Sequence, residues 1–397
     1  MFPGKINQDS SFNKVTDAFS EFLIEKEEKL VCQLCGVKNS RNNLSEWRRH
    51  KTRESTIYTE NGAFTHQFKI LRHKQTKETI CPLKDFLGIL PKQRISEDLK
   101  QKIFSKLSLG TYQRTSEDVN NSFNLHYTRQ HIHYLFKKHE SQADIIFEQN
   151  KIDKILMGDG VKTCGNKFET KVLTSLDENN TSSLLAKKIN VSWEELLNNM
   201  DLSQYEVFVG DCEPGLKQAL IARGVRFHNC HVHAIRVFGY FLWKDGVKKE
   251  ERKSVLPFLE SLLYTLQNST KKFFVDKDVS RLQNRISKTR YGLETLAKQC
   301  LERGYQYSAA YLENNKDYLV TAAEVAIEKG LVVPWTTNQI ERCMREIGFR
   351  TKKKGMNWSK EGLNRIVNLL LKRYFLPMQE RFYKNYFTST NNSEVKV

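Results

Sequence analysis

Apolar positions change their period along this chain, and each change marks a new part. From Ser96 the residues Leu99, Ile103, Phe104 and Leu107 fall on one helical face, with Ser96 as N-cap and Gly110 as stop. A second short helix is predicted after Thr115-Ser116, burying Val119 and Phe123. Thr128 then caps a third, which turns Ile132, Leu135 and Phe136 inward and Arg129, Gln130, His133, Lys137 and Lys138 outward. A cap, a short helix, a tight turn and a basic last helix give residues 92–145 the pattern of a helix-turn-helix, whose final helix enters the DNA major groove.

From about 150 the period shortens to that of strands. Ile152 to Met157 is an apolar run ending in Gly158-Asp159-Gly160, and Lys167 to Ser175 reads as a second strand. Trp193 to Asn199 reads as a helix. Glu206 to Asp211 is a buried-type strand stopping on a carboxylate, followed by a helix with Leu216, Ala219 and Leu220 on one side and by a strand from Val225 to His228. That strand–helix–strand unit puts an Asp at the carboxyl end of its first strand, where open α/β sheets bind ligands. Between Gly246 and Gly330 the chain is charged and helical in period. Leu363, Ile366, Val367, Leu370, Leu371 and Tyr374 then outline a long amphipathic helix.

The fold class is therefore α/β. Residues 150–245 and 331–387 are expected to form one α/β domain, interrupted by a helical insertion at 246–330, and 388–397 a polar, disordered tail. Ahead of the helix-turn-helix, residues 1–91 suggest a small β-rich or metal-stapled module, with Thr65 to Leu71 strand-like. Cys32-x-x-Cys35 offers half of a zinc site, and His50, His66, His73 and Cys81 are candidate partners at irregular spacing.

Charge narrows the partners. Lys and Arg number 64 against 46 Asp and Glu, a net charge of +18 that attracts polyanions, double-stranded DNA first among them. The mean hydropathy of −0.58, with no apolar run near the roughly 20 residues a bilayer demands, argues against a membrane. The first residues lack the apolar segment of a secretory signal, and the eight scattered cysteines do not form a disulfide framework. The expected compartment is reducing: cytoplasmic and nucleoid-associated in a prokaryote, nuclear in a eukaryote.

Cutting or joining DNA requires an activated water or 3′-hydroxyl and stabilisation of a crowded, anionic phosphorus. Two Mg²⁺ (or Mn²⁺) ions meet both needs and take hard oxygen ligands, about three carboxylates with room left for phosphate. Asp159, Asp211 and Glu341 fit. The two aspartates end predicted strands beside Gly158, Gly160 and Gly210, which let backbone or ligand approach closely. Glu341 opens a helix in Thr337-Asn-Gln-Ile-Glu-Arg342. Further on, Arg350, Lys352, Lys353 and Lys354 offer a grip on flanking phosphates, and Trp358 a surface for an unpaired base.

Three stretches resemble the Mutator-like DDE transposases of prokaryotic insertion sequences and their eukaryotic relatives. Val209-Gly-Asp211-Cys-Glu-Pro-Gly215 and the following helix are similar to the family's block around its second acid. Phe227-His-Asn-Cys230-His-Val-His233 resembles its C-x-x-H motif. Thr337-Asn-Gln-Ile-Glu341-Arg342 with its basic continuation resembles its third-acid block. Gly158-Asp159-Gly160 falls where the family carries its first acid. Over residues 150–376 the resemblance implies an RNase H-like sheet with an all-helical insertion. Asp159, Asp211 and Glu341 would be the metal ligands, with Cys230 and His233 an auxiliary pair that positions rather than binds metal; Cys212 would serve packing. It implies a transposase acting at terminal inverted repeats, as a homodimer that joins two ends. A transposase-derived DNA-binding protein without catalysis and an RNase H-like nuclease remain as alternatives.

Overall fold

The computed structural model describes residues 8–35, 45–89, 93–140, 145–146, 153–177, 180–198, 200–211, 213, 215–353 and 358–375. Cys212, Lys354 and the 388–397 tail, each with an expectation attached, lie outside the described residues. The chain is mixed α/β and divides into two compact units, 1–140 and 141–397.

The first unit opens with α1 (Gln8–Cys35), which packs on a long antiparallel hairpin, β1 (Trp47–Thr59) and β2 (Gly62–His73), edged by β3 (Thr79–Ile80). Leu23 of α1 meets Ile57, Phe64 and Phe68 in one buried cluster, while Val31 and Cys35 join Leu71 in another. Most of β1 reads as a string of exposed charges, Trp-Arg-Arg-His-Lys-Thr-Arg-Glu, with no apolar alternation to announce a strand. Its pairing with β2 makes it one.

After α2 (Pro82–Phe86) come α3 (Glu97–Leu109), α4 (Tyr112–Phe123) and α5 (Arg129–His139). Ser96 caps α3 by accepting from the Leu99 N–H, and Gly110 ends it, both as expected. Helix α4 starts earlier than expected: Thr111 is its cap, and Thr115 and Ser116 are buried inside it. Asn124, at φ 48°, takes the left-handed conformation that turns the chain toward Thr128. Thr128 and His131 then close a capping box on α5. Ile132, Leu135 and Phe136 are buried, and Arg129, Gln130, His133, Lys137 and Lys138 are exposed.

The second unit is built on a six-stranded mixed sheet in the order β4-β7-β6-β5-β8-β9. Its members are β4 (Ile145–Ile146), β5 (Ile155–Thr163), β6 (Phe168–Leu176), β7 (Ser182–Ile189), β8 (Val207–Gly210) and β9 (Arg226–Asn229). β5, β6 and β7 form an antiparallel meander, while β8 runs parallel to β5 and β9 parallel to β8. Within this sheet, sequence analysis foresaw every long strand except β7. On one face, α6 (Trp193–Leu197) and α7 (Leu216–Ile221) cover a core of Leu156, Leu173, Leu185, Trp193, Phe208 and Leu220. Helix α13 (Asn338–Gly348) packs on β5, and α14 (Lys360–Phe375) on β7.

The helices between the sheet and α13 are α8 (His231–Lys244), α9 (Lys249–Asp276), α10 (Val279–Glu302), α11 (Gln306–Asn315) and α12 (Thr321–Lys329). Phe238, Leu242, Leu259, Leu263, Leu293, Leu296 and Leu312 form a core of their own. The stretch expected to be helical, 246–330, contains no strand. No helix among the described residues is long and apolar enough to cross a membrane.

Candidate active site

β5 and β8 are neighbouring parallel strands in register Met157↔Val209. Continued two residues on, that register sets Asp159, still within β5, level with Asp211, which stands one residue past the end of β8. Side chains alternate with period two, so both acids stand on one face, about 4.8 Å apart in strand spacing. Contrary to expectation, Asp159 does not end its strand, because β5 continues to Thr163. Nor do two of the flanking glycines make room on the ligand side. They face the opposite side, where a Cβ on Gly158 would stand 2.8 Å from Phe208 and 3.0 Å from Trp193, and one on Gly210 2.3 Å from Phe208. They admit a large buried ring beneath the acids.

Glu341 arrives on α13, whose Ile340, Cys343, Met344 and Ile347 are buried. On the acid-bearing face of β5, Val161 touches Gly348 of this helix. The Thr337 hydroxyl donates to Glu341 Oε1 at 2.9 Å, and His233 Nε2 lies 3.5 Å from the same oxygen. Two clefts adjoin here. One, of about 680 Å³, is lined by Asp159, Asp211, Glu213, His233, Lys162 and Lys217. The other, of about 950 Å³, is lined by Asp159, His233, Glu341, Arg236, Arg342 and Lys352. Asp159 and His233 border both, with Asp211 in the first cleft and Glu341 in the second. The three acids are not gathered as tightly as Cys230, His233 and Glu341, the group among the described residues whose ligand atoms all lie within 4.8 Å of one another.

Burial and then the neighbouring Asp211 charge push Asp159 up to about 7, against the Gly160 N–H (2.7 Å from Oδ1) and His233. Burial likewise raises Asp211, with Glu213 and Glu341 adding and His233 opposing. Among the described residues neither aspartate has a Lys or Arg ion-pair partner. Burial alone would raise the Cys230 thiol, but hydrogen bonds with His233 and Thr337 outweigh it and bring it below its ordinary value. The bond to Cys230 raises His233, and Asp211 and Glu341 add to the effect.

Three further residues belong to this neighbourhood, and sequence analysis missed them. Glu213, two positions after Asp211, is neutralised by the buried Lys171 at 3.2 Å and accepts from Trp193 Nε1. Lys171 also lies 3.5 Å from Glu169. His231, inside the C-x-x-H motif, is fully buried: Nε2 donates to the Leu319 carbonyl at 2.9 Å, and Nδ1 accepts from Gln267 at 2.8 Å. Burial lowers it to about 4. It is a neutral clasp between α8 and the helical insertion.

The basic run after Glu341 departs from expectation. The chain beyond α13 winds as a π-helix, Phe349–Lys353, and its wider turn swings Arg350 inward. Arg350 is 1% exposed and Trp358 6%, with the guanidinium 5.4 Å from the indole centroid. These two support the fold and do not present themselves to phosphate or base. Lys352 is exposed and lines the larger cleft; the Lys353 side chain, like Lys354, is outside the described residues.

Cys32 and Cys35 occupy the last turn of α1, with Cys35 packed among apolar neighbours and raised by burial. His66 pairs with Glu27 at 3.2 Å and His73 with Glu46 at 3.4 Å. Among the described residues no third ligand atom joins the cysteines.

No family model matches the chain. No curated protein matches it either.

Proposed function

We propose that the chain is a metal-dependent DNA recombinase of the DDE transposase type, with an RNase H-like catalytic domain. One observation carries the reading: Asp159 and Asp211, brought together by adjacent parallel strands, line one cleft, and Asp159 also lines the adjoining cleft that Glu341 enters from the helix packed on β5. An antiparallel meander continued by two parallel strands supports the RNase H-like assignment, as does a helical insertion between the second and third acids.

The residues fit Mg²⁺. Asp159 and Asp211 are half-buried carboxylates that repel each other with no Lys or Arg ion pair among the described residues and only His233 beside them, and hard oxygen donors suit this ion. Asp159, Asp211 and Glu341 would hold two ions, which when bound activate the attacking oxygen and stabilise the leaving one. His233 and Thr337 orient the Glu341 carboxylate, and Cys230 orients His233. Lys162, Lys217, Arg236, Arg342 and Lys352 line the walls, where cations neutralise the phosphates of a bound strand. Such a transfer needs no covalent bond to the protein. Helix α5, with its exposed Arg129, Gln130, His133, Lys137 and Lys138, is the proposed reader of the transposon ends. Joining two ends calls for a homodimer on DNA.

The test is incubation of the full chain with DNA that flanks its own coding sequence, where a mobile element keeps its ends. Mg²⁺-dependent cleavage followed by joined product is expected. Asp211→Asn should fall at least about 100-fold with its fold intact. Cleavage that ignores Asp211 overturns the reading, and cleavage without joining reassigns the chain to the nucleases.

A further inference from the structure

The cluster that gathers most tightly is not the acidic triad, and its chemistry is different. Cys230 stands at the start of α8, held by its backbone N–H donating to the Gly210 carbonyl at 2.8 Å. His233 follows one helical turn later, on the same side. Glu341 comes from α13, and the Thr337 hydroxyl sits among all three: 2.9 Å from Glu341, 3.4 Å from His233 Nδ1 and 3.5 Å from Cys230 Sγ.

We propose that Cys230, His233 and Glu341 bind one thiophilic divalent cation, such as Zn²⁺. Their ligand atoms lie within 4.8 Å of one another, and the 3.5 Å between His233 Nε2 and Glu341 Oε1 approaches an edge of a tetrahedral zinc site. With bonds of about 2.0–2.3 Å, those edges measure roughly 3.3–3.8 Å. All three ligands stand near helix starts, so closing the set asks for side-chain adjustment and no refolding. His233 borders both clefts, from which a water molecule would reach the fourth position. On binding, the Cys230 thiol gives its proton to solvent. Sulfur and imidazole select a soft ion over Mg²⁺. Glu341 is the residue this site shares with the proposed magnesium site, so a soft ion held here draws it away from Asp159 and Asp211. That consequence rests on the recombinase reading; the binding site does not.

Co²⁺ titrated into the full chain tests the site through the thiolate-to-cobalt charge-transfer band, which needs no DNA. One saturable Co²⁺ with that band is expected in the wild type, in Cys32→Ser and in Asp159→Asn. It should disappear in Cys230→Ser, and affinity should drop roughly tenfold or more in His233→Gln. Should Cys230→Ser misfold by circular dichroism, His233→Gln decides alone, and unchanged affinity there overturns the proposal. So does a band that survives in Cys230→Ser or vanishes in Cys32→Ser, which would assign the ion to the N-terminal pair. Absence of DNA cleavage by the wild-type chain with the band intact would instead count against the recombinase reading alone.

Discussion

The candidate site has a strand-built half and a helix-built half, and they are held in opposite ways. Asp159 and Asp211 sit where backbone pairing puts them. Register and pleat set their positions, and the Gly160 N–H and His233 offset their mutual repulsion only in part. Glu341 and the segment after it depend on side chains: Thr337 and His233 hold the carboxylate, and the stack of Arg350 on Trp358 anchors the turn that follows. The strand half carries only partly offset charge in a rigid frame, as catalytic sites commonly do. The helix half spends its charged residues on anchoring.

If that contrast is right, the largest stability effect lies in the basic run. Arg350→Ala should cost about 3–5 kcal/mol by removing a large buried side chain, read as a shift in denaturation midpoint. A neutral result would mean that Arg350 is free to meet DNA after all.

The two halves should also respond to pH in opposite directions. In metal-free buffer the folded state holds the Asp159 proton up to about 7, against an ordinary value of 3.8. It therefore binds more protons than the unfolded chain between those values, and stability falls as pH rises through that window. Asp159→Asn should remove this loss and raise stability at pH 8 by roughly 2–4 kcal/mol. His231 runs the other way. Its folded value of about 4 lies below the ordinary 6.5, so the unfolded chain takes up the extra proton. Stability is intact above 6.5 and falls by about 3 kcal/mol as pH drops toward 4. His231→Gln should flatten that acid limb. Urea unfolding of the three proteins between pH 4 and pH 8 measures both slopes, and parallel curves would erase the distinction.

The smallest effect is the most specific. Lys352→Ala should leave stability within about 0.5 kcal/mol and reduce the salt dependence of DNA binding by about one unit of slope. An unchanged slope would remove Lys352 from the proposed phosphate path.

Legibility followed the same division. Ser96, Gly110 and Thr128 act locally, through hydrogen bonds and backbone preferences spanning a few residues, so their roles could be read from the chain. The strands of the acids announced themselves as apolar runs. β7 did not, because its Lys187 is a buried cation bonded to Asn364, far away in sequence. Two basic runs looked alike, yet α5 exposes its cations while a π-turn buries Arg350. Periodicity settles the first. Nothing local settles the second.

By itself, then, the sequence determined which segments become helix or strand wherever period and caps agree, that the chain is strongly basic, and which acids could meet. Only the tertiary structure decided that Asp159 lies level with Asp211, that Glu341 is held by Thr337 and His233, and that β1 is a strand at all. The physical reason is range. Caps and amphipathic faces are set by neighbours within one or two turns, whereas register, buried ion pairs and shared pockets join residues far apart, 182 positions from Asp159 to Glu341, and no local pattern encodes such a meeting.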